Sequence, residues 1–161
     1  MLRLLIDKAS DGHSDLFLKI DVTPSYLKVA DSYYLAEFLE LTDEEIGAIK
    51  EEEWQAYKAT KLINHWIERI KSLEKGQKTF LLYDFSDQYV GGMQIEKNKR
   101  GFLISFVYTT DLQGYGVGVS GLDKRLGMND VVMKPSTKLT WLISEAALFN
   151  GLTWSLEQLS V

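Results

Sequence analysis

The stretch TFLLYDFSDQYVGGMQIEKNKRGFLISFVYTTDLQGYGVGVS, residues 79–120, contains four runs of apolar, aromatic and β-branched residues separated by short polar or glycine-bearing turns. Such runs predict strands, here over residues 79–84, 89–96, 102–110 and 115–120. Turns this short join antiparallel neighbours, because a parallel connection needs about a dozen residues or more. The stretch therefore predicts an antiparallel meander sheet.

The first forty residues also show the two-residue period of strands, with apolar side chains at every second position. This alternation is typical of a sheet with one buried face. We expect strands over residues 2–6, 16–20, 26–30 and 33–39. The alternative for residues 33–39 is that the segment begins as a helix. An Asp-Gly turn is predicted within residues 10–14, and a further break at 23–25.

A helical region is predicted to begin at Thr42. Thr42 is a favourable N-cap, and Glu45 stands three residues on, where its side chain can bond back to the cap. Helical spacing of apolar residues continues towards Gly76, a favourable residue for ending a helix. An unbroken helix over 43–75 would be about 50 Å long, which is too long for a compact chain of this size. We therefore expect a break near 51–53.

The same region has a buried face and a wet face. The spacing places Trp66, Ile70 and Leu73 on one side, and we predict that this side packs on the sheet. Glu68 and Lys71 fall on the other side and are expected to face water.

The C-terminal part is predicted to hold one short strand and a helix. The strand is expected over 131–134, with Pro135 ending it and Ser136 capping the helix that follows. That helix is predicted over 139–149, with Gly151 interrupting it before a second helix or a kinked extension.

Together these patterns predict a single α+β domain over residues 1–161. The expected architecture is an antiparallel meander sheet, a long and broken central helical region, and a C-terminal helix packed on one face. Small bacterial immunity proteins are similar to this chain in size, acidity and mixed architecture, although no motif carries the likeness.

The composition excludes several classes of function. The chain has no cysteine, which removes disulfides, thiolate metal sites and cysteine nucleophiles. Its first residues hold too short an apolar run for a signal peptide, and no stretch is long and apolar enough to span a bilayer, so we expect a cytoplasmic protein without a membrane partner. A net charge of −5 disfavours nucleic acid, which binds through lysines and arginines.

The acids are concentrated between Glu37 and Glu53, where Lys50 is the one base. A solvated helix start explains the acids at 43–45. Three successive glutamates beside a tryptophan suit the rapid capture of a cationic protein, whereas an ordinary charged face is the alternative. The predicted partner-binding residues are Glu44, Glu45, Glu51, Glu52, Glu53 and Trp54.

A second candidate site is the glycine series at 114–121. Its glycines alternate with Tyr115, Val117 and Val119, and it lacks the Lys-Ser/Thr and flanking helix of a phosphate-binding loop. One interpretation is close packing of a large aromatic, Trp66 or Trp141, on the bare backbone. The other is a ligand groove formed by Tyr115, Gly116 and Gly118.

No set of residues predicts catalysis, a metal or a cofactor. The residues Asp11, His13 and Asp15 include metal-ligating types, but a polar turn explains them. His65 lacks a partnered nucleophile and is expected on the helix surface. Asp84 and Asp87 flank Ser86. One interpretation is that they are turn residues, and the other is that they act as acid–base groups.

The leading hypothesis is a protein-binding module, of the kind of an immunity-type inhibitor or antitoxin that covers a cationic toxin. The alternative is a small-molecule-binding protein or enzyme that uses the groove near 114–121. A third hypothesis is self-association through the apolar C-terminal segment, with Trp141 or Trp154 as anchor. We favour the monomer over the homodimer, because the long helical region offers cover for that segment.

Overall fold

Two antiparallel sheets form the framework of the protein. The computed structural model describes residues 1–21 and 25–160, so the break expected at 23–25 falls largely outside the described residues. The first sheet has the strand order β1 (Leu2–Ile6), β2 (Leu16–Ile20) and β3 (Tyr26–Ala30). The second has the order β4 (Lys78–Phe85), β5 (Val90–Asn98), β6 (Gly101–Thr109) and β7 (Lys134–Ile143).

The described helices fall between and after the strands. They are α1 (Leu35–Phe38), α2 (Asp43–Ala48), α3 (Trp54–Lys71), α4 (Leu122–Leu126) and α5 (Glu145–Leu159). Single 3₁₀ turns occur at Glu51–Glu53, Gly114–Gly116 and Val119–Gly121. The α+β class is therefore confirmed, as are the expected strands in the first sheet and the first three strands of the meander.

The first sheet buries one face against helices. Leu4 pairs with Leu18, and both are buried. The Leu4 amide donates to the hydroxyl of Ser155 in α5 at 2.9 Å. Gly151 lies inside α5 rather than interrupting it, and a Cβ there would lie 2.1 Å from the Leu2 carbonyl oxygen. The missing side chain is what lets α5 lie directly on the backbone of β1.

The start and the break of the helical region are confirmed. The Glu45 amide donates to the Thr42 hydroxyl at 3.2 Å, and the Thr42 amide donates to the Glu45 carboxylate at 3.1 Å. The chain then turns at Glu51–Glu53 before α3 begins. The predicted faces of the helical region are also confirmed. Trp66 and Ile70 of α3 are buried, as is Leu73 just beyond its end, whereas Glu68 and Lys71 are exposed.

The strand expected over 33–39 is wrong, and the helical alternative is found. Leu35 and Phe38 stand three residues apart, and both side chains are fully buried. That spacing puts them on one side of a helical turn, whereas in a strand they would point to opposite faces. Burial of this pair therefore favours α1.

The strand expected over 115–120 is also wrong, because the segment forms two 3₁₀ turns. The Gly114 amide donates to the Ser86 carbonyl oxygen at 2.8 Å. The carboxylate of Glu40 accepts from the Ser120 amide at 3.3 Å and from its hydroxyl at 2.6 Å. These long-range bonds hold the segment to the β4–β5 turn and to the end of α1.

The fourth strand of the second sheet is β7, which corrects the prediction for the C-terminal part. The strand expected over 131–134 begins at Lys134 instead, and the helix expected from 139 begins at Glu145. Pro135 is tolerated because β7 is an edge strand, where a missing amide donor leaves no partner unpaired. Ser144, rather than Ser136, caps α5 through the Ala147 amide at 3.2 Å.

The buried apolar side chains form one cluster that includes both sheets, α3 and α5. Tyr26 of β3 lies against Phe106 of β6 and Trp141 of β7, with ring centroids 5.0 and 4.9 Å apart. The indole N–H of Trp66 donates to the Leu82 carbonyl oxygen at 3.0 Å. The two sheets thus pack together through aromatic rings, and α3 contacts the second sheet through Trp66. Residues of both sheets also line a polar cavity around Asp84.

Candidate functional site

The acidic segment, residues 43–53, is an ordered surface element that contributes nothing to the core. Neither α2 nor the 3₁₀ turn at Glu51–Glu53 has a buried residue. The segment contains six acids and one base, which equals the net charge of the whole chain, −5. The remaining 17 acids are balanced by 17 bases. The excess negative charge of the protein is therefore confined to this one surface.

Glu45 anchors the acidic segment to α3. Its carboxylate accepts from the Tyr57 hydroxyl at 3.3 Å and from the Lys61 ammonium at 3.2 Å, besides its bond in the helix cap. The backbone bond from Thr42 and the bond from Lys61 lower the pKa of Glu45. Glu45 is thus engaged within the protein, whereas the other glutamates of the acidic segment are exposed.

The other predicted glutamates are exposed. Glu53 lies 4.0 Å from Lys50, a long ion pair between two exposed side chains. Glu44, Glu51 and Glu52 form no ion pair with any residue in the described ranges. Exposed charges without partners cost little to leave in water and are available to a cationic surface.

Trp54 stands at the end of the acidic segment as a half-buried aromatic. Its ring stacks on Tyr57 with the centroids 6.0 Å apart, and the Lys58 ammonium lies 5.7 Å from its centroid. The ring is therefore held in place while part of its surface stays accessible. A preorganised aromatic beside unpaired charges is the composition of an interface hot spot.

Two clefts lie on either side of the Glu51–Glu53 turn. The larger, of about 780 Å³, is lined by Glu51, Glu52 and Trp54 on one side and by Asp11 and Tyr33 on the other. The smaller, of about 440 Å³, also includes Glu52, with Glu53 and Tyr57. Glu52 lines both clefts, so the acidic turn borders two depressions of the surface.

A buried hydrogen-bonded network adjoins the larger cleft, whose lining includes Ser10, Gln55 and Lys58. The Ser32 hydroxyl donates to Asp15 at 2.6 Å, and the Gln55 side-chain amide donates to the Ser10 carbonyl oxygen at 2.7 Å. Lys58 is only 4% exposed. Burial lowers its pKa, while Asp15 and Glu37 act in the opposite direction. The lining of the larger cleft therefore carries charges of both signs, from Asp11, Glu51 and Glu52 and from Lys8 and Lys58.

The glycine series at 114–121 borders a shallow cavity of about 230 Å³ that includes Gly116 and Gly118. Tyr115 does not line it; the residue is 61% exposed and its ring lies 5.8 Å from that of Tyr34. The prediction that Trp66 or Trp141 packs on these glycines is wrong, because both rings contact the sheets. Tyr34 and Phe85 lie against Gly114 instead.

The turn residues Asp11, His13 and Asp15 do not converge on a metal site. Asp15 is fully buried and accepts from the Ser32 amide at 2.9 Å, whereas the His13 ring stacks on Tyr33 with centroids 4.9 Å apart. Within the described ranges, no group of three or more His, Asp or Glu side chains has an arrangement that would hold a metal ion.

His65 is half-buried rather than lying on the open helix surface. Its ring lies edge-on to Phe38 at 5.8 Å. Burial and the nearby Arg69 guanidinium lower its pKa. Its buried Nε2 has no hydrogen-bond partner among residues 1–21 and 25–160. The His65 ring therefore packs against α1, the helix that contains Phe38.

Asp84 and Asp87 do not act as a pair. Asp87 is exposed and accepts a short hydrogen bond from the Tyr34 hydroxyl, which raises the pKa of Tyr34 to about 12. Asp84 is 3% exposed and accepts from the Tyr89 hydroxyl at 3.2 Å and the Asp31 amide at 3.4 Å. Burial raises the pKa of Asp84, opposed by the Asp31 amide and by Lys28.

A cavity of about 240 Å³ around Asp84 was missed at the sequence level. Its lining includes Tyr83 together with Asp84, and Gly91 on the facing strand. The signal in the sequence is the Gly91-Gly92 pair inside a strand, which indicates a bulge or a close approach of backbones. A Cβ at Gly92 would lie 2.8 Å from the Leu81 carbonyl oxygen.

Comparison of the chain with protein-family models, with curated proteins and with solved structures gives no match. None of the helices in the described part of the chain has the length and apolar character that a bilayer crossing requires.

Proposed function

We propose that this protein is a binding module that engages a basic protein through its acidic segment and Trp54. In its most specific form, the proposal is an immunity-type inhibitor that covers the active surface of a cationic toxin in the cytoplasm. The contacting residues are Glu44, Glu51, Glu52, Glu53 and Trp54, with Glu45 holding the segment in place.

One observation carries the proposal: the entire net charge of −5 lies in an ordered segment that buries no side chain. The core does not require these residues. A helix cap and the bonds of Glu45 to Tyr57 and Lys61 nevertheless hold the segment against α3. Order without a contribution to the core is what a recognition surface requires, because preorganisation lowers the entropic cost of binding.

The chemistry of the surface favours a cationic protein over a small cation. A patch of several unpaired carboxylates attracts an oppositely charged surface over a distance of about 10 Å at moderate salt. Long-range attraction of this kind raises the rate of association more than the final affinity. Trp54 and the two clefts supply the apolar contact that then slows dissociation.

The experiment is affinity capture with three baits: the wild type, the triple variant Glu51→Gln, Glu52→Gln, Glu53→Gln, and a charge-matched control. The control carries Glu68→Gln, Glu74→Gln and Glu145→Gln, which removes the same charge from exposed positions elsewhere. We expect a basic protein to be retained by the wild type and the control and lost by the triple variant. Equal capture by all three baits would refute the proposal.

A second candidate function, binding of a small molecule, has support at a different place from the one the sequence indicated. The cavity beside Gly116 and Gly118 has two charged residues in its lining, Lys124 and Arg125, and both are cationic. The cavity at Asp84 has charged groups of both signs in its lining, Asp84 and Lys28.

A further inference from the structure

The cavity at Asp84 exists because β4 is bulged. Leu82 pairs with Gly92 and Asp84 pairs with Gly91, so Tyr83 is an extra residue on that strand. In a regular strand, consecutive side chains point to opposite faces. The bulge lets Tyr83 and Asp84 line the same cavity. Bulges re-aim side chains in this way next to binding and active sites.

Gly91 keeps the space in front of Asp84 open. A Cβ at Gly91 would lie 3.0 Å from the Asp84 Cβ and 3.3 Å from its Oδ2. The floor of the cavity, which includes Asp84, Tyr83 and Gly91, is buried. The rim, which includes Lys28 and Tyr108, is half-buried and gives access from solvent.

Asp84 has unmet hydrogen-bonding capacity in this buried position. A carboxylate offers about four acceptor sites, and Asp84 accepts two bonds, from the Tyr89 hydroxyl and the Asp31 amide. The amide bond is long, at 3.4 Å. A carboxylate that is 3% exposed and lacks a direct counter-ion is costly to bury. A cation placed against it would relieve that cost.

Lys28 lines the same cavity and supplies the opposite charge. Its ammonium acts on Asp84 electrostatically, but no ion pair joins the two side chains directly. Lys28 makes no hydrogen bond or ion pair with any residue that the structure describes. A lysine without a partner among the described residues and a carboxylate with further acceptor sites therefore line the same cavity.

We propose that this cavity binds a small zwitterion, a free α-amino acid, whose ammonium group contacts Asp84 and whose carboxylate contacts Lys28. The Tyr89 hydroxyl, already bonded to Asp84, fixes the carboxylate that receives the ammonium. The tyrosine rings of the lining provide aromatic surface for that cation and for an aliphatic side chain. A neutral polyol would form hydrogen bonds in the cavity but would leave the charges of Asp84 and Lys28 uncompensated.

The size of the cavity agrees with this ligand class. Pockets for drug-sized molecules and cofactors are about 300–1,000 Å³, whereas this one is about 240 Å³. A nucleotide or a flavin is too large for it. A free amino acid is compact enough and carries opposite charges on neighbouring groups.

The test uses ¹⁵N-labelled protein and a panel of free L-amino acids, followed by the amide shifts of Gly91 and Asp84. We expect at least one amino acid to bind with a dissociation constant below about 1 mM. Its N-acetyl derivative lacks the ammonium group, and its amide lacks the carboxylate. Each derivative should bind about tenfold more weakly or worse, because a charge-assisted hydrogen bond is lost.

Variants assign the two ends of the ligand. With Lys28→Met, the free acid and its amide should bind equally, a result that a merely structural role of Lys28 would not produce. Asp84→Asn should abolish the preference for the free ammonium over the N-acetyl form. If Asp84→Asn does not fold, two other measurements test whether Asp84 receives the ammonium group. One is binding to Tyr89→Phe, which lacks the hydroxyl that holds Asp84. The other is binding of the blocked ligands to wild-type protein.

The triple Glu51–Glu53 to Gln variant is the control, because it changes the acidic segment and should leave amino-acid affinity unchanged. Absence of binding across the panel would overturn the proposal. So would equal affinity for free and blocked forms, or shifts at Gly91 caused by glucose and by no amino acid.

Discussion

The indole N–H of Trp66 donates to the Leu82 carbonyl oxygen at 3.0 Å, at the residue where β4 enters its bulge. Trp66 lies on the buried face of α3 and is 0% exposed. The bond satisfies a carbonyl next to the register shift, so one side chain joins the helix to the irregular part of the second sheet. The position of α3 and the shape of the Asp84 cavity are therefore linked.

Replacing Trp66 by Ala should cost about 3–5 kcal/mol of unfolding free energy, the range for a large buried aromatic. Urea denaturation followed by circular dichroism measures it. Trp54→Ala is the matched control, and its loss should be smaller because Trp54 is half-buried. A loss below about 1 kcal/mol for Trp66→Ala would show that this face of α3 is not core.

Two glycine substitutions should have opposite signs. Gly151→Ala places a Cβ 2.1 Å from the Leu2 carbonyl oxygen, and the resulting shift of α5 should destabilise the protein by about 1–3 kcal/mol. Gly47 lies in α2 with no atom within 4 Å of an added Cβ. Gly47→Ala should therefore stabilise the protein, by up to about 1 kcal/mol, because alanine favours the helix. Thermal unfolding of the two variants provides the comparison, and a Gly151→Ala variant as stable as the wild type would contradict the packing described for α5.

Stability should decrease with pH through the ionisation of Asp84. Burial raises its pKa in the folded protein above that in the unfolded chain. Between the unfolded and the folded pKa the native state holds more protons, so stability falls as pH rises through that window. Asp84→Asn should remove this contribution, and its stability relative to wild type should improve on going from acid to neutral pH. Urea titrations at several pH values test this, and a constant difference between the two proteins would exclude it.

The features that the sequence predicted correctly depend on residues close together in the chain. The capping box of Thr42 and Glu45 is complete within four residues, and its side-chain chemistry is specific. The periodicity of α3 is likewise local, which is why the burial of Trp66 and the exposure of Glu68 were predicted.

The errors arise where distant contacts decide the structure. The segment 114–121 resembles a strand until the bonds from Glu40 to Ser120 are known. The run from Leu139 to Phe149 is apolar throughout, so its period does not separate strand from helix. Its division at Ser144 follows from the pairing of β7 with β6. The Asp84 cavity depends on a register shift between two strands, which local composition does not specify.

The oligomeric state remains a prediction, and we expect a monomer with a mass near 18.4 kDa. Trp141 is buried against Tyr26 and Phe106, so it is not available as a dimer anchor. The ring of Trp154 is covered by the Arg3 guanidinium, 4.8 Å from its centroid. Sedimentation equilibrium at micromolar concentration measures the mass. A value near twice that of the chain, reduced to the monomer by Trp154→Glu without unfolding, would make the C-terminal helix an interface.

The most direct test of the acidic segment as a recognition surface is the association rate constant with the captured basic protein, measured by stopped-flow fluorescence over a range of salt. The triple Glu51–Glu53 to Gln variant should fold with a stability within about 0.5 kcal/mol of wild type. At low salt it should associate at least about tenfold more slowly, and high salt should bring the wild type close to the variant. The Glu68, Glu74 and Glu145 control should associate at the wild-type rate. Equal rates for wild type and triple variant at every salt concentration would contradict the account and leave the segment a solvated face.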